Sequence, residues 1–353
     1  MILTIAIPVL NEIKHLPTTI DSIFREARFI TESIEVLVID NASRDGTSQY
    51  LDTLMKSRNI PGNVALRILQ NTENMGFDNS FENLVRFSTG EFFWPLGAQD
   101  KLLPFALKNV VVKLHENPWF LVLNTTVWDE ATDLEISDNM YKRYQDEIFY
   151  SPEDFFQKLG GPAVSLSANI SRRLPLLESL NEPTFSRYWS WLERFMDVLK
   201  KPAQHSEILF ISTPVIQILI ETQGWQRSGE DRTSSFVIVK AHPMYFTSVE
   251  LSEIAIRKYK DSPVIRNSIG VFRSPFGCIP TIANAKADGM RATWPTIRRS
   301  TKAYGFTPWY WLVGLPVLLL PFWALNRNQL KVAQTVVHFL RRITNTPAKH
   351  LGT

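Results

Sequence analysis

Residues 35–47 read EVLVIDNASRDGT: an apolar run from Glu35 to Asp40 ends on a carboxylate, and a tail of turn-forming residues follows. Gly46 permits a tight turn, and Asp45 or Thr47 offers an oxygen to cap a helix that starts at Thr47. The stretch predicts a strand whose carboxyl end passes through a turn into a helix. It sets Asp40 at the strand tip and Asn41 and Ser43 in the turn. A strand-turn-helix unit of this kind builds parallel sheets.

The same alternation extends outward on both sides. Strands are expected at Leu3 to Pro8, Ala65 to Leu69, Phe92 to Leu96 and Phe120 to Leu123. Helices are expected near His15 to Arg28, Thr47 to Ser57, Asn79 to Ser88 and Pro104 to His115, with Pro17 suited to a first helical turn. The fold class that follows is α/β, a Rossmann-like, mainly parallel sheet flanked by helices. Residues 126–285 are less regular. They carry strand-like runs at Glu207 to Ile211 and Ser235 to Val239, and helical runs at Phe185 to Leu199 and Pro214 to Glu221. No internal repeat is evident.

In an open α/β sheet a ligand sits beyond the carboxyl ends of the strands. Four successive strand ends here carry polar or acidic residues: Asn11-Glu12 after Pro8, Asp40 to Ser43, Asn71 to Gly76, and Gly97 to Asp100. Any one alone reads as a cap or a turn residue. Glu12 can reach a base or a ribose hydroxyl, Asp40 can accept from a pyrimidine N–H, and the turn through Asn74 and Gly76 leads into a helix whose N-terminus favours an anion.

Together, in order, these signals resemble the inverting family 2 glycosyltransferases, which have the GT-A fold. The motifs are IPVLNE at Ile7 to Glu12, IDNASRDGT at Ile39 to Thr47, the set Asn74, Gly76 and Asn83, and STGEFFWPLGAQD at Ser88 to Asp100. The wording FFWPLGAQD and the run Ser165 to Ile170 look most like abequosyltransferase-type members that build bacterial surface polysaccharides. The resemblance implies a nucleotide diphosphate-sugar donor held by Pro8, Glu12, Asp40, Asn41, Ser43, Asn74, Gly76 and Gln99. It implies a divalent cation, Mg²⁺ or Mn²⁺, at Asp100. With the composition of the rest, the chain is expected to divide into a nucleotide-sugar-binding half (1–125), an acceptor-binding half (126–285) and a basic, apolar, membrane-associated helical segment (286–353).

The chain departs from the family where the metal is expected. The usual Asp-x-Asp triplet is Ala98-Gln99-Asp100, so the first carboxylate is missing. Three outcomes stay open: Asp100 suffices with water and Gln99, or cation affinity is low, or the chain binds a donor without turning it over as a scaffold in a membrane assembly. Inverting transfer also needs a general base for the acceptor hydroxyl. Glu193 and Asp197, four apart in RYWSWLERFMDVL, are the candidates, against a plain solvated helix face. Glu182 is a third option, Trp189 and Trp191 could stack on a sugar, and Arg227, Arg232 and His242 could close over a diphosphate.

The bulk composition fits this picture. A hydrophobic fraction of 44% and a charged fraction of 21% are ordinary for a globular protein, and the single Cys278 excludes a disulfide framework within the chain. Met1 to Leu10 lacks a basic start and a cleavage site, so it reads as a strand and not a leader. From Lys286 onward ten basic residues face one acid, Asp288, around an uncharged stretch from Phe306 to Leu325. Pro308, Gly314, Pro316 and Pro321 weaken a straight span, and basic residues flank both ends. A re-entrant or interfacial membrane segment is therefore expected, on the cytoplasmic face of the inner (plasma) membrane, against the alternative of a buried hairpin. A membrane surface and a lipid-linked saccharide acceptor are the expected partners, with no nucleic acid. Neither G-x-G-x-x-G nor a P-loop occurs, which excludes the common dinucleotide and P-loop NTPase sites. A sugar nucleotidyltransferase would want a Gly-rich basic loop where this chain has VLNE.

Overall fold

The computed structural model describes residues 1–130, 133–141, 143–159, 165–185, 189–200 and 207–220, with isolated positions between 254 and 301. The chain divides into two compact units, Met1–Val237 and Ile238–Thr353. In the second, the described residues Ile254, Tyr259 and Ile265 are buried.

The first unit is built on one ten-stranded sheet. Its elements in chain order are β1 (Leu3–Val9), α1 (Leu16–Ala27), β2 (Ile34–Asp40), α2 (Thr47–Met55), β3 (Val64–Gln70), α3 (Phe77–Phe87), β4 (Phe92–Pro95), β5 (Lys101–Leu102), α4 (Ala106–His115) and β6 (Phe120–Asp129). They continue with β7 (Leu134–Ser137), β8 (Glu147–Phe149), α5 (Pro152–Lys158), β9 (Asn169–Arg172), α6 (Arg173–Ser179), α7 (Ser190–Lys200) and β10 (Ile208–Ile220). The strand order is β3-β2-β1-β4-β9-β6-β10-β5, with β7 on β6 and β8 on β10. Strands β3, β2, β1 and β4 are parallel, so their carboxyl ends share one edge. Antiparallel β9 separates them from the parallel pair β6 and β10.

Central β1 and β2 are buried at every residue, as near-continuous apolar runs require when both faces are covered. Alternate residues serve opposite faces. Leu3, Ile5, Ile7 and Val9 join the apolar stripes of α1 (Leu16, Ile20, Ile23) and α4 (Leu107, Val110, Leu114) in one core. Across the sheet, Phe81 of α3, Phe93 of β4, Phe120 of β6 and Phe195 of α7 meet edge to face, with centroids 5.4–6.1 Å apart. Glu35, fully buried in β2, accepts from Thr4 Oγ1 at 2.6 Å, from Arg67 Nη1 at 2.6 Å and from the Thr89 backbone at 2.8 Å, which satisfies the charge.

The first four expected strands and helices stand within two residues of their sequence reading. One expectation is overturned: the run from Pro214, read as a helix, is the second half of β10, which is strand through Ile220. Its β-branched residues pair in parallel with β6, and the register shifts between Ile211 and Ile216. Pro214 falls in that interruption, where no ladder hydrogen bond is asked of it. Strand β6 likewise runs to Asp129, well past Leu123. Residues 235–239, positions 227, 232 and 242, and the stretch 306–325 lie outside the described residues. Among the described residues no helix is long and apolar enough to cross a membrane.

Candidate active site

The loops after β1 and β2 are knitted together by side chain to backbone bonds. Asn11, in the left-handed region at φ 56°, donates its N–H to Ser43 Oγ at 2.8 Å, and its Oδ1 accepts from Arg44 N at 2.7 Å. The Glu12 N–H reaches Thr47 Oγ1 at 3.0 Å, and Asp45 Oδ1 accepts the Thr47 N–H at 3.1 Å to start α2. Gly46 at φ 99° provides the turn. Pro8 lies inside β1, opposite Ile39, beyond the point where the β4 ladder stops at Ala6, so its missing N–H costs nothing on that side.

Asp40 is buried at the tip of β2, where Oδ1 accepts from Ser43 N at 3.1 Å and Oδ2 from Ser48 Oγ at 2.5 Å. Asn41, also buried, ties in the third loop. Its Oδ1 accepts from Asn71 Nδ2 and from Met75 N, both at 2.9 Å, and its Nδ2 donates to Asn74 Oδ1 at 2.7 Å. Asn74 Oδ1 also takes the Gly76 N–H at 2.9 Å, just ahead of α3. Pro8, Asn41, Asn74, Phe77 and Ser80 line a small cleft there. The structure thus brings Pro8, Glu12, Asp40, Asn41, Ser43, Asn74 and Gly76 to one edge of the sheet. A cavity of about 770 Å³ lined by Met1, Glu91, Trp119 and Arg172 lies at the other end, away from these residues.

The turn after β4 is built differently. Asp100 folds inward, 6% exposed: Ser167 Oγ donates to its Oδ2 at 2.5 Å and the Leu219 N–H to its Oδ1 at 3.1 Å. Ser167 Oγ in turn accepts the Gly97 N–H at 2.9 Å. Burial pushes the Asp100 carboxyl up to about 6, against the pull of its hydrogen bonds from Ser167, Leu219 and Gly97. Gln99 is exposed and donates Nε2 to Leu219 O at 2.8 Å, and Ala98, 4% exposed, accepts from Thr19 Oγ1 at 2.8 Å.

Residues 4–175 match the sequence model described as glycosyl transferase family 2, and the match spans every loop just described up to Ser167. This segment is a family 2 glycosyltransferase domain. The chain is 31% identical over 102 residues to abequosyltransferase RfbV of Salmonella typhimurium, and that match spans 29% of each chain. In fold it is similar to TarS residues 1–349 of S. aureus, with a TM-score of 0.53 at 13% identity, covering 86% of this chain and 89% of that one. It is also similar to the mannosyltransferase PcManGT of Pyrobaculum calidifontis, with a TM-score of 0.51 at 16% identity over 96% and 87% of the two chains. Both likenesses support the GT-A architecture.

GT-A glycosyltransferases commonly use a divalent cation, and PcManGT was solved with GDP-Man and Mn²⁺. The described residues of this chain do not offer the Asp-x-Asp pair that the resemblance led one to expect. The first carboxylate is Ala98, both oxygens of Asp100 hold protein donors, and Gln99 is committed to β10. Among the described residues no group of three or more His, Cys, Asp or Glu is placed to hold a metal.

The two base candidates are not on a solvated face. Helix α7 is buried from Ser190 to Leu199, with Glu193 0% and Asp197 7% exposed. Glu193 accepts the Phe185 N–H with both oxygens, at 3.0 and 3.2 Å, so it holds the 185 turn and presents no surface to an acceptor. Glu182 O receives Arg194, and Trp191 is core, 2% exposed with its ring edge on Phe195. Trp189 is half-buried beside Trp191.

The sequence reading passed over Asp78. It stands in the first turn of α3 next to the cleft and accepts from Ser190 Oγ at the head of α7 at 2.7 Å. Burial pushes its carboxyl up to about 7. The Ser190 bonds oppose that shift, and the charges of Glu193 and Glu82 add to it. The sequence signal was faint: an acidic residue in a first helical turn reads as a helix-dipole partner.

Proposed function

We propose that this glycosyltransferase takes a sugar from a nucleoside diphosphate donor bound across the ends of β1, β2, β3 and β4 and passes it, with inversion, to a hydroxyl of a lipid-linked saccharide at the cytoplasmic face of the plasma membrane. The observation that carries the reading is the cleft beside Pro8 where Asn41 joins Asn71, Asn74 and Met75 N. Three loops are fixed there as one surface at the sheet edge where α/β folds bind nucleotides. In this reading Asp40 and Glu12 hold the nucleoside, Asn41 and Ser43 set the loops, and the Asn74-Gly76 turn with the head of α3 meets a phosphate. The match to an abequosyltransferase supports a saccharide acceptor in surface polysaccharide synthesis. The basic flanks of residues 306–325 support the membrane surface.

Asp78 is the general base in this reading, since its raised carboxyl titrates near neutral pH beside the cleft. The acceptor oxygen bonds to the anomeric carbon as the bond from that carbon to the phosphate oxygen breaks. The nucleoside diphosphate leaves with the electron pair, and the hydroxyl proton passes to Asp78. The test is a panel of nucleotide sugars offered to the full-length protein, with and without lipid-linked saccharide in vesicles. Binding of one donor and acceptor-dependent release of its diphosphate is expected. Failure of every nucleotide sugar to bind would overturn the reading.

A further inference from the structure

We propose that this transferase binds and uses its donor without a divalent cation, because the one carboxylate left at the 97–100 turn is a latch between that turn and β10. The inference rests on the donor site proposed above and concerns how that site meets a diphosphate.

Four observations converge on the latch. Asp100 gives one oxygen to the Ser167 hydroxyl and the other to the Leu219 backbone, so its two ends join the β4 turn, the 3-10 turn at Leu166–Ala168 and β10. The adjacent Gln99 bonds the carbonyl of that same Leu219, so the pair grips both faces of one peptide position on β10. Gly97 makes the inward fold possible: a Cβ there would come within 2.7 Å of Asp100 Oδ2. Ala98 puts a buried methyl where a first carboxylate would be needed, with its carbonyl fastened to Thr19 Oγ1.

A magnesium-type ion asks for one or two carboxylates free to face the phosphates, with water completing the shell. Recruiting Asp100 would break its bonds to Ser167 and Leu219 and leave the buried Ser167 hydroxyl unmet, at about 1–3 kcal/mol, with a smaller cost at the half-buried Leu219 N–H. Protein cations on the same rim can meet the diphosphate charge instead. Lys14 and His15 stand at the head of α1, one turn ahead of the Thr19 that holds Ala98, and pair there with Glu130 at the end of β6. A diphosphate oxygen replacing Glu130 at Lys14 keeps the charge paired.

The test is calorimetric titration of the full-length protein with UDP, GDP, CDP and dTDP, in chelator and again with excess Mn²⁺. The nucleotide that binds is expected to do so with affinities equal within about threefold in the two conditions. Affinity that rises about tenfold or more with Mn²⁺ would overturn the inference and leave the donor site standing. No binding of any of the four in either condition would overturn both. In parallel, Asp100→Ala is expected to lower Tm by the same amount with and without Mn²⁺, as loss of a latch requires. An unchanged Tm would refute the latch.

Discussion

Ser190 Oγ donates to Asp78 Oδ1 across 2.7 Å and ties the head of α7, from the second half of the domain, to the first turn of α3 beside the strand-end cleft. The contact holds a carboxylate near two others, Glu193 and Glu82. Glu193 and Glu82 lie near enough to raise it, and Arg194 Nη2 pairs with Glu82 at 2.7 Å. Burial and these charges push the Asp78 carboxyl up to about 7, and the proposed function gives that group the acceptor's proton.

Asp78→Asn keeps the size of the side chain and its contact with Ser190 while removing the basic form. The transfer rate is expected to fall by about 10²–10⁴-fold at neutral pH, with donor affinity little changed. Wild-type rate should rise through an apparent value of about 7 as the carboxyl deprotonates, and the variant should lose that limb. A pH profile that keeps the limb in the variant would assign the base elsewhere.

The same group makes a signed contribution to stability. Its folded value is raised above the ordinary carboxylate value of 3.8, so the folded state holds a proton that the unfolded state releases. The contribution is fully present below about 4 and is lost as pH rises through about 7. Denaturant midpoints of wild type and Asp78→Asn are expected to diverge between those values, with the wild type losing ground as pH rises. Parallel curves would show that the carboxyl is not strained.

Asp40→Ala removes a carboxylate that the Ser43 N–H and the Ser48 hydroxyl hold at the tip of β2. Loss of these bonds at the start of α2 should cost about 1 kcal/mol of stability without unfolding the chain. Nucleotide binding is expected to be abolished in calorimetry, because in the proposed reading the base meets the loop that Asp40 fixes through Ser43 and Ser48. Unchanged affinity in a folded variant would move the base elsewhere.

Gly97→Ala puts a methyl 2.7 Å from an Asp100 oxygen that Ser167 and Leu219 prevent from moving freely. A loss of about 1–3 kcal/mol is expected in denaturant unfolding. Combined with Asp100→Ala, the penalties should add to less than their sum, since the second change removes the clash. Full additivity would mean the two residues do not meet.

Deleting residues 306–353 should give a protein that binds nucleotide as before but works poorly on a lipid-linked saccharide in vesicles. High salt should detach the full-length chain from anionic vesicles only in part, because each basic residue contributes about 1 kcal/mol while burial of apolar side chains is not screened. Complete release by salt would reduce the segment to a charged patch. A probe at residue 350 reached only from the far side of the vesicle membrane would establish a span.

The first half of the fold was legible because its strands are short apolar runs punctuated by turn chemistry that needs few neighbours to be read. Asp45, Gly46 and Thr47 turn β2 into α2 through bonds within three residues, and the near-continuous apolar runs of β1 and β2 already say that both faces are covered. The second half hid because its decisions are non-local. The VIQILI of β10 fits a helix or a strand until the edge of β6 is there to pair with it.

By itself the sequence determined which residues gather at the strand ends: Pro8, Glu12, Asp40, Asn41, Ser43, Asn74 and Gly76 arrive there because each lies at or just beyond the carboxyl end of a strand in a parallel sheet, and chain order alone fixes that edge. Only the tertiary structure decided what surrounds two carboxylates. Asp100 reads as a ligand until Ser167 and Leu219, 67 and 119 residues away in the chain, occupy its oxygens, and Asp78 reads as a helix-start acid until Ser190, 112 residues away, helps to bury it. A carboxylate's basicity and reach are set by the donors and charges packed around it, and packing across the sheet is information that no local pattern of residues contains.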